Sequence, residues 1–147
     1  MDWNHCKSLT LSRFCVALFS FLLAGVVLSA PWLWPALLRR PGEGLARIYT
    51  AVTWASAIPA ALVLWQLNRL LSCIGRGQVF TPGNTACLRM ISWCCIAAGL
   101  VYLAGGVWDG YLLILAAAAA FVGLILRVVK NVFAEAVLLK EENDFTI

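Results

Sequence analysis

The sequence predicts an all-α, polytopic membrane protein with four transmembrane helices, and two observations lead to that fold class. Four apolar stretches fill most of the 147 residues, at 14–38, 48–71, 90–107 and 111–126. Each approaches the ~20 residues that an α-helix needs to cross a hydrocarbon layer roughly 30 Å thick. In addition, 63% of residues are hydrophobic and only 12% are charged. A soluble fold of this size has no interior that could bury four helices apolar all round, so lipid is expected to cover them.

The first stretch has some features of a secretory signal, because Lys7 and Arg13 precede it and small residues stand at Ser29 and Ala30. Pro31 would directly follow the cleavage point, and the apolar run continues beyond it. Both features disfavour cleavage. We therefore expect the segment to remain as the first membrane helix, over about residues 14–38.

The second helix is expected over about residues 48–71. Pro59 should kink it, with the hydroxyl of Ser56 available to satisfy part of the lost backbone hydrogen bonding. Gly75 and Gly77 should end it, since glycine readily adopts the conformations found beyond a helix C-terminus.

The third helix is expected over about residues 82–107, after a connection that reads GQVFTPGN at 77–84. Thr81 is a suitable N-cap, and Pro82 suits the first helical position. Phe80 would then pack back onto the first turn. At the other end, the glycines of the turn at 105–110 are expected to adopt positive φ and so reverse the chain.

The fourth helix is expected over about residues 111–142. Ala116 to Ala120 and Gly123 supply the small residues that let membrane helices approach closely. Beyond residue 126, apolar positions recur at 128, 129, 132, 133, 136, 137 and 139, as on one face of a helix. The helix should therefore leave the membrane as an amphipathic extension, folded back so that Val132, Phe133, Val137 and Phe145 cover the connection around Val79 and Phe80. That arrangement would bring Glu141, Glu142 and Asp144 close to Arg76 or Arg89.

Orientation is predicted from the lysines and arginines beside the membrane, because cytoplasmic segments carry the excess of them. With the N-terminus inside, eight lie on the inner side (Lys7, Arg13, Arg69, Arg76, Arg89, Arg127, Lys130 and Lys140) and three on the outer side (Arg39, Arg40 and Arg47). Short connections further predict an up-down-up-down bundle of antiparallel neighbours. Both termini and the C-terminal extension should then be cytoplasmic.

Several classes of activity are disfavoured by the residues present. The single histidine, His5, lies in the N-terminal tail. Catalytic Ser/His/Asp and Cys/His sets both need a histidine, so none can be assembled from the rest of the chain. The six cysteines have no CxxC spacing. A proton-coupled carrier needs ionisable groups at membrane depth. The four apolar stretches contain no Asp or Glu. We therefore predict no enzymatic activity, no cofactor, no metal and no direct nucleic-acid binding.

Two motifs carry a resemblance to a known family. GQVFTPGN followed by LRMISW at 88–93, together with LRVVKNVFAEAVLLKEENDFTI at 126–147, are similar to the bacterial membrane family named domain of unknown function 2975. The resemblance implies four membrane helices, a location in the bacterial inner membrane and frequent pairing with a small helix-turn-helix regulator encoded nearby. It implies no established activity.

Two functional hypotheses remain. In the first, the chain is a regulatory or sensory membrane protein that binds a cytoplasmic partner, such as that regulator. In the second, it is a small oligomeric transport protein or a membrane-stress or immunity protein, so that its partners are lipid and further copies of itself. The first hypothesis places the interaction face on the cytoplasmic side, at Arg76, Phe80, Asn84, Arg89, Arg127, Lys130, Asn131, Glu135, Asn143 and Asp144.

Overall fold

A computed structural model describes residues 3–38, 43–77 and 81–146. The chain forms four α-helices in the described part: α1 (Trp3–Leu37), α2 (Glu43–Gly75), α3 (Pro82–Gly105) and α4 (Gly110–Phe145). All four are long and apolar enough to cross a membrane. No more than 33% of the most apolar window of any helix is buried inside the protein. Most of the apolar surface is therefore left for lipid or another protein to cover.

Each helix packs antiparallel on the helix that follows it, which confirms the predicted up-down order. Among the described residues, however, α1 packs only on α2, and α4 packs only on α3. The four helices thus form an open row rather than a closed bundle. Side chains from all four line an apolar cleft of about 660 Å³ on one side of the row. We call the end of the row that holds Gly75 and Pro82 the inner end, and the opposite end the outer end.

Polar contacts at the outer end join α1, α2 and the turn between α3 and α4. The Trp34 indole donates a hydrogen bond to the Thr53 hydroxyl at 3.0 Å, and its ring lies 4.8 Å from that of Tyr49. The Tyr49 hydroxyl donates to Asp109 at 2.6 Å. Asp109 also caps α4, because its second carboxylate oxygen accepts from the backbone N–H of Tyr111 at 3.2 Å. One carboxylate therefore begins α4 and holds it to α2.

Small residues bring α3 and α4 into close contact, as the sequence predicted. A Cβ added at Gly99 would lie 3.4 Å from the backbone oxygen of Ala116, and one added at Gly123 would lie 3.2 Å from Ile96. The Ser92 hydroxyl donates to the backbone oxygen of Gly123 at 2.8 Å. The small face of α4 is therefore used for packing within the chain.

The structure corrects two expectations about glycines and caps. Gly77, beyond the end of α2, has a φ of 75°, whereas the outer-turn glycines do not adopt positive φ. Gly105 is needed for space instead, since a Cβ there would lie 2.8 Å from both Leu112 and Val52. Thr81 is the N-cap of α3 with Pro82 following, but its hydroxyl makes no capping hydrogen bond.

The kink compensation expected at Pro59 also differs from the observed hydrogen bonding. Proline at this position frees the carbonyl four residues earlier, that of Ala55. The Ser56 hydroxyl instead donates to the carbonyl of Thr53 at 3.1 Å. The α2 helix nevertheless continues through Pro59 to Gly75.

The exposure of Val132 and Phe145 contradicts two of the four contacts expected of the folded-back extension, whereas the contacts of Phe133 and Val137 with the connection stay untested. The helix α4 is continuous over its 36 residues, from Gly110 to Phe145. Phe145 is 91% exposed and Val132 is exposed, so neither covers the connection between α2 and α3. Val137 alone of the four is buried. Val79 and Phe80 lie outside the described residues, as does the packing expected of Phe80.

Candidate functional site

The interaction face predicted from the sequence lies at the inner end of the row, but its residues divide into two groups. Asn84 is only 1% exposed, in the first turn of α3, and Lys130 is half-buried. The remaining described residues are exposed: Arg76, Arg89, Arg127, Asn131, Glu135, Asn143 and Asp144. Phe80 falls outside the described residues. Asn84 is therefore a packing residue rather than a surface contact.

The register between α3 and α4 shows which of these residues lie at the same level. Gly123 lies against Ser92 and Ile96, and antiparallel helices keep such a register along their length. Continued to the inner end, it places Arg127 close to the level of Arg89. Glu142 lies about 14 residues of α4 further on, which is roughly 20 Å of helix. The expected pairing of the acidic end with Arg89 is therefore wrong.

Arginines from three helices meet around one tryptophan at the inner end. The Arg127 guanidinium of α4 lies over the Trp93 ring of α3, 5.6 Å from its centre. Arg69 of α2 and Arg89 of α3 line a cavity of about 240 Å³ that Trp93 also lines. An arginine that stacks on an indole keeps its N–H donors available at the ring edge. We call Arg69, Arg89, Trp93 and Arg127 the arginine cluster.

Beyond the arginine cluster, α4 has two distinct sides. Val137 is buried, and Phe133 and Ala134 are half-buried, so this side packs toward the row. The opposite side carries Val128, Val132, Glu135, Leu139 and Glu142, all exposed. These five recur at intervals of three and four residues, so they form one stripe along the helix. We call them the outward stripe.

The sequence predicted one apolar face on the α4 extension, covered by the rest of the chain, but the outward stripe shows that part of the apolar surface is exposed. The apolar positions span more than half of the helix circumference, but α4 has only α3 as a neighbour in the described chain. One helix covers a limited arc of another, so part of the apolar surface stays exposed.

Sequence reasoning missed Gln66 as a member of the site. Gln66 is buried at 8% exposure and lines the same cavity as Arg69 and Arg89. Its Oε1 atom accepts no hydrogen bond from any residue in the described part of the chain. The sequence signal was available, since a glutamine three residues before an arginine on one helix shares its face. Only the packing of α3 against that face shows that the two line a cavity.

The described residues include no group of three or more His, Cys, Asp or Glu side chains placed to hold a metal ion. The cysteines for which the structure describes side chains, at 15, 73, 87, 94 and 95, are all free thiols. The inner end offers guanidinium donors, an indole face and the amide oxygen of Gln66.

Comparison with known proteins identifies the family. No curated protein and no solved structure matches the chain. The family described as "Protein of unknown function (DUF2975)" matches residues 26–147, which include the C-terminal part of α1 and all of α2, α3 and α4. This agrees with the resemblance carried by the two inner-end motifs. The chain is a member of that family, and it has the four membrane-length helices that the resemblance implied.

Proposed function

We propose that this chain is a regulatory membrane protein of the bacterial inner membrane that binds a soluble cytoplasmic partner through the outward stripe of α4. The observation that carries the proposal is the length of α4 relative to a bilayer. Its 36 residues extend about 54 Å, against roughly 30 Å for the hydrocarbon layer. With Tyr111 at one interface and Arg127 at the other, residues 128–145 project about 27 Å beyond the membrane.

The projecting segment exposes large apolar side chains where lipid does not cover them. Val132 and Leu139 are both 63% exposed. Burying a side chain of this size contributes about 1.5–3 kcal/mol. An exposed surface that combines apolar side chains with charged ones is typical of a site that binds another protein. Catalysis is not part of the proposal, because the stripe offers a surface and no reactive group.

Charge indicates the kind of partner. Residues 132–146 contain four carboxylates (Glu135, Glu141, Glu142 and Asp144) and one lysine, Lys140. Such a surface complements a partner with a basic patch. A DNA-binding regulator of the helix-turn-helix type has that property, since it neutralises phosphates with Lys and Arg. The proposal requires the arginine cluster to face the cytoplasm, and the distribution of Lys and Arg in the sequence supports that orientation.

The proposal is tested with membranes and a purified helix-turn-helix regulator, of the kind that the family resemblance implies is encoded nearby. Inside-out vesicles that contain the protein are mixed with the regulator, and the bound fraction is measured by co-sedimentation. We expect the double variant Val132→Asn/Leu139→Asn to weaken binding at least tenfold. The matched control is Leu138→Asn, which changes an equally exposed leucine about 100° away around the helix. The control should bind within twofold of wild type.

The result that would overturn the proposal is equally specific. If the regulator does not bind wild-type vesicles, or if the double variant and the control bind it equally well, the outward stripe is not its docking surface. Binding that survives removal of residues 128–147 leads to the same conclusion.

The alternative, an oligomeric assembly, is favoured by one observation, the apolar cleft lined by all four helices. A second copy or lipid could fill it, but its walls carry no charged side chain. Chemical crosslinking in native membranes distinguishes the two proposals, because a dimer band that depends on cleft residues such as Ala98 would support the alternative.

A further inference from the structure

The cavity at the inner end of the row has an unusual lining for a membrane protein. Arg69 and Arg89 stand on α2 and α3, and Trp93 and the buried Gln66 complete its polar side. Its volume of about 240 Å³ is several times the ~30 Å³ that one water molecule occupies. The cavity therefore has room for a phosphate group with a short substituent.

The positive charge here has no carboxylate to balance it within the described chain. Asp109 lies at the outer end beside Tyr49. The nearest acidic residue of α4, Glu135, is eight residues beyond Arg127, which is about 12 Å along the helix. Three arginines therefore share one level without an acidic neighbour. A guanidinium in such a place gains most from an oxyanion that binds both of its N–H edges.

The depth of the arginine cluster matches the phosphate layer of a bilayer. From Tyr49 to Arg69 along α2 is about 30 Å, and from Tyr111 to Arg127 along α4 is about 24 Å. Tyr49 and Tyr111 belong to the aromatic group at the outer end, as expected of residues at a membrane interface. A span close to one hydrocarbon thickness then places the arginines at the other interface.

From this geometry we propose that the cavity binds the headgroup of an anionic phospholipid. The phosphate binds Arg69 and Arg89, and a headgroup hydroxyl donates a hydrogen bond to Gln66 Oε1, which no described residue satisfies. Basic cavities between membrane helices are suited to such headgroups. Phosphatidylglycerol has both the phosphate and the hydroxyls. Arg127 takes a positioning role, because it stacks on Trp93 and holds the indole against the cavity.

The test uses purified protein in detergent, titrated with phosphatidylglycerol or phosphatidylcholine, with bound lipid counted by native mass spectrometry. We expect phosphatidylglycerol to bind at least tenfold more tightly. Each arginine near an anionic phosphate contributes about a factor of five, so Arg69→Gln/Arg89→Gln should weaken that binding at least tenfold. Arg76→Gln is the matched control, since it removes one positive charge from an exposed arginine outside the cavity. It should leave the affinity within twofold of wild type.

A second variant tests the hydroxyl contact and does not alter charge. Gln66→Met keeps the length of the side chain but removes the hydrogen-bond acceptor. Because one hydrogen bond is lost, the affinity for phosphatidylglycerol should fall about two- to tenfold. Phosphatidic acid has no glycerol hydroxyl on its phosphate, so its binding should not change. The thermal midpoint of each variant is measured alongside, and a variant that does not fold is replaced by Arg69→Lys/Arg89→Lys. That pair keeps the charge but not the paired donors, so its affinity should fall between wild type and the glutamine pair.

Three results would overturn the assignment. Equal binding of phosphatidylglycerol and phosphatidylcholine would remove the anionic preference, and an equal loss in Arg76→Gln would show a general charge effect. Displacement of the lipid by an equal concentration of glycerol 3-phosphate would assign the cavity to a soluble phosphate ester instead of a lipid. The site and its test do not depend on which protein binds the outward stripe.

Discussion

Replacing Gly123 with leucine should separate α3 from α4, because this glycine lies where the two helices are in close contact. A single added Cβ would already lie 3.2 Å from Ile96, 3.3 Å from Cys95 and 3.4 Å from the backbone oxygen of Ser92. The last of these is a backbone atom and moves only if the helix moves. The larger side chain must therefore push α3 away.

The magnitude follows from two losses. Overpacking of a well-packed contact costs about 1–3 kcal/mol. Separation of the helices also breaks the hydrogen bond from the Ser92 hydroxyl to the Gly123 carbonyl. A hydrogen bond between membrane helices contributes about 0.6 kcal/mol to stability on average. Gly25→Leu is the matched control, because nothing lies within 4 Å of a Cβ added there. Both substitutions raise helix propensity by the same amount. The difference in the free energy of unfolding between the two variants therefore reports the contact alone, and we expect it to be about 2–4 kcal/mol.

The assay is reversible unfolding in mixed micelles, followed by circular dichroism as denaturing detergent is added. We expect Gly123→Leu to unfold at a clearly lower mole fraction of denaturing detergent, and Gly25→Leu to unfold with the wild type. Equal stability of the two leucine variants would refute the close approach of α3 and α4 at this position.

Three further predictions concern the outer end, the topology and the cysteines. Tyr49→Phe removes the hydroxyl that donates to Asp109 and should lower the free energy of unfolding by about 1 kcal/mol, with no further loss when Asp109→Asn is added. Reporter fusions should show both termini in the cytoplasm and Glu43 outside, and periplasmic activity at either terminus would contradict this topology. Replacing all six cysteines with alanine should leave a folded protein, and a collapse of thermal stability on reduction or metal chelation of the wild type would count against it.

The sequence alone determined the fold class and the number and order of the helices. Membrane span depends on the length and apolarity of each segment, which are local properties. The end of α2 at Gly75, the start of α3 at Pro82 and the small face of α4 were predicted for the same reason. The family resemblance was likewise carried by short motifs.

Only the tertiary structure decided which helices are neighbours and which faces stay exposed. Apolar periodicity indicates that one face of a helix avoids water. Lipid and protein can both cover such a face, so the pattern does not show which of the two does. For that reason Val132 and Phe145 were expected to be covered by the connection between α2 and α3, whereas α4 continues as one helix to Phe145 and both side chains are exposed. The cavity lined by Gln66, Arg69 and Arg89 lies between α2 and α3, and only the packing register of these two helices brings the three side chains to one level.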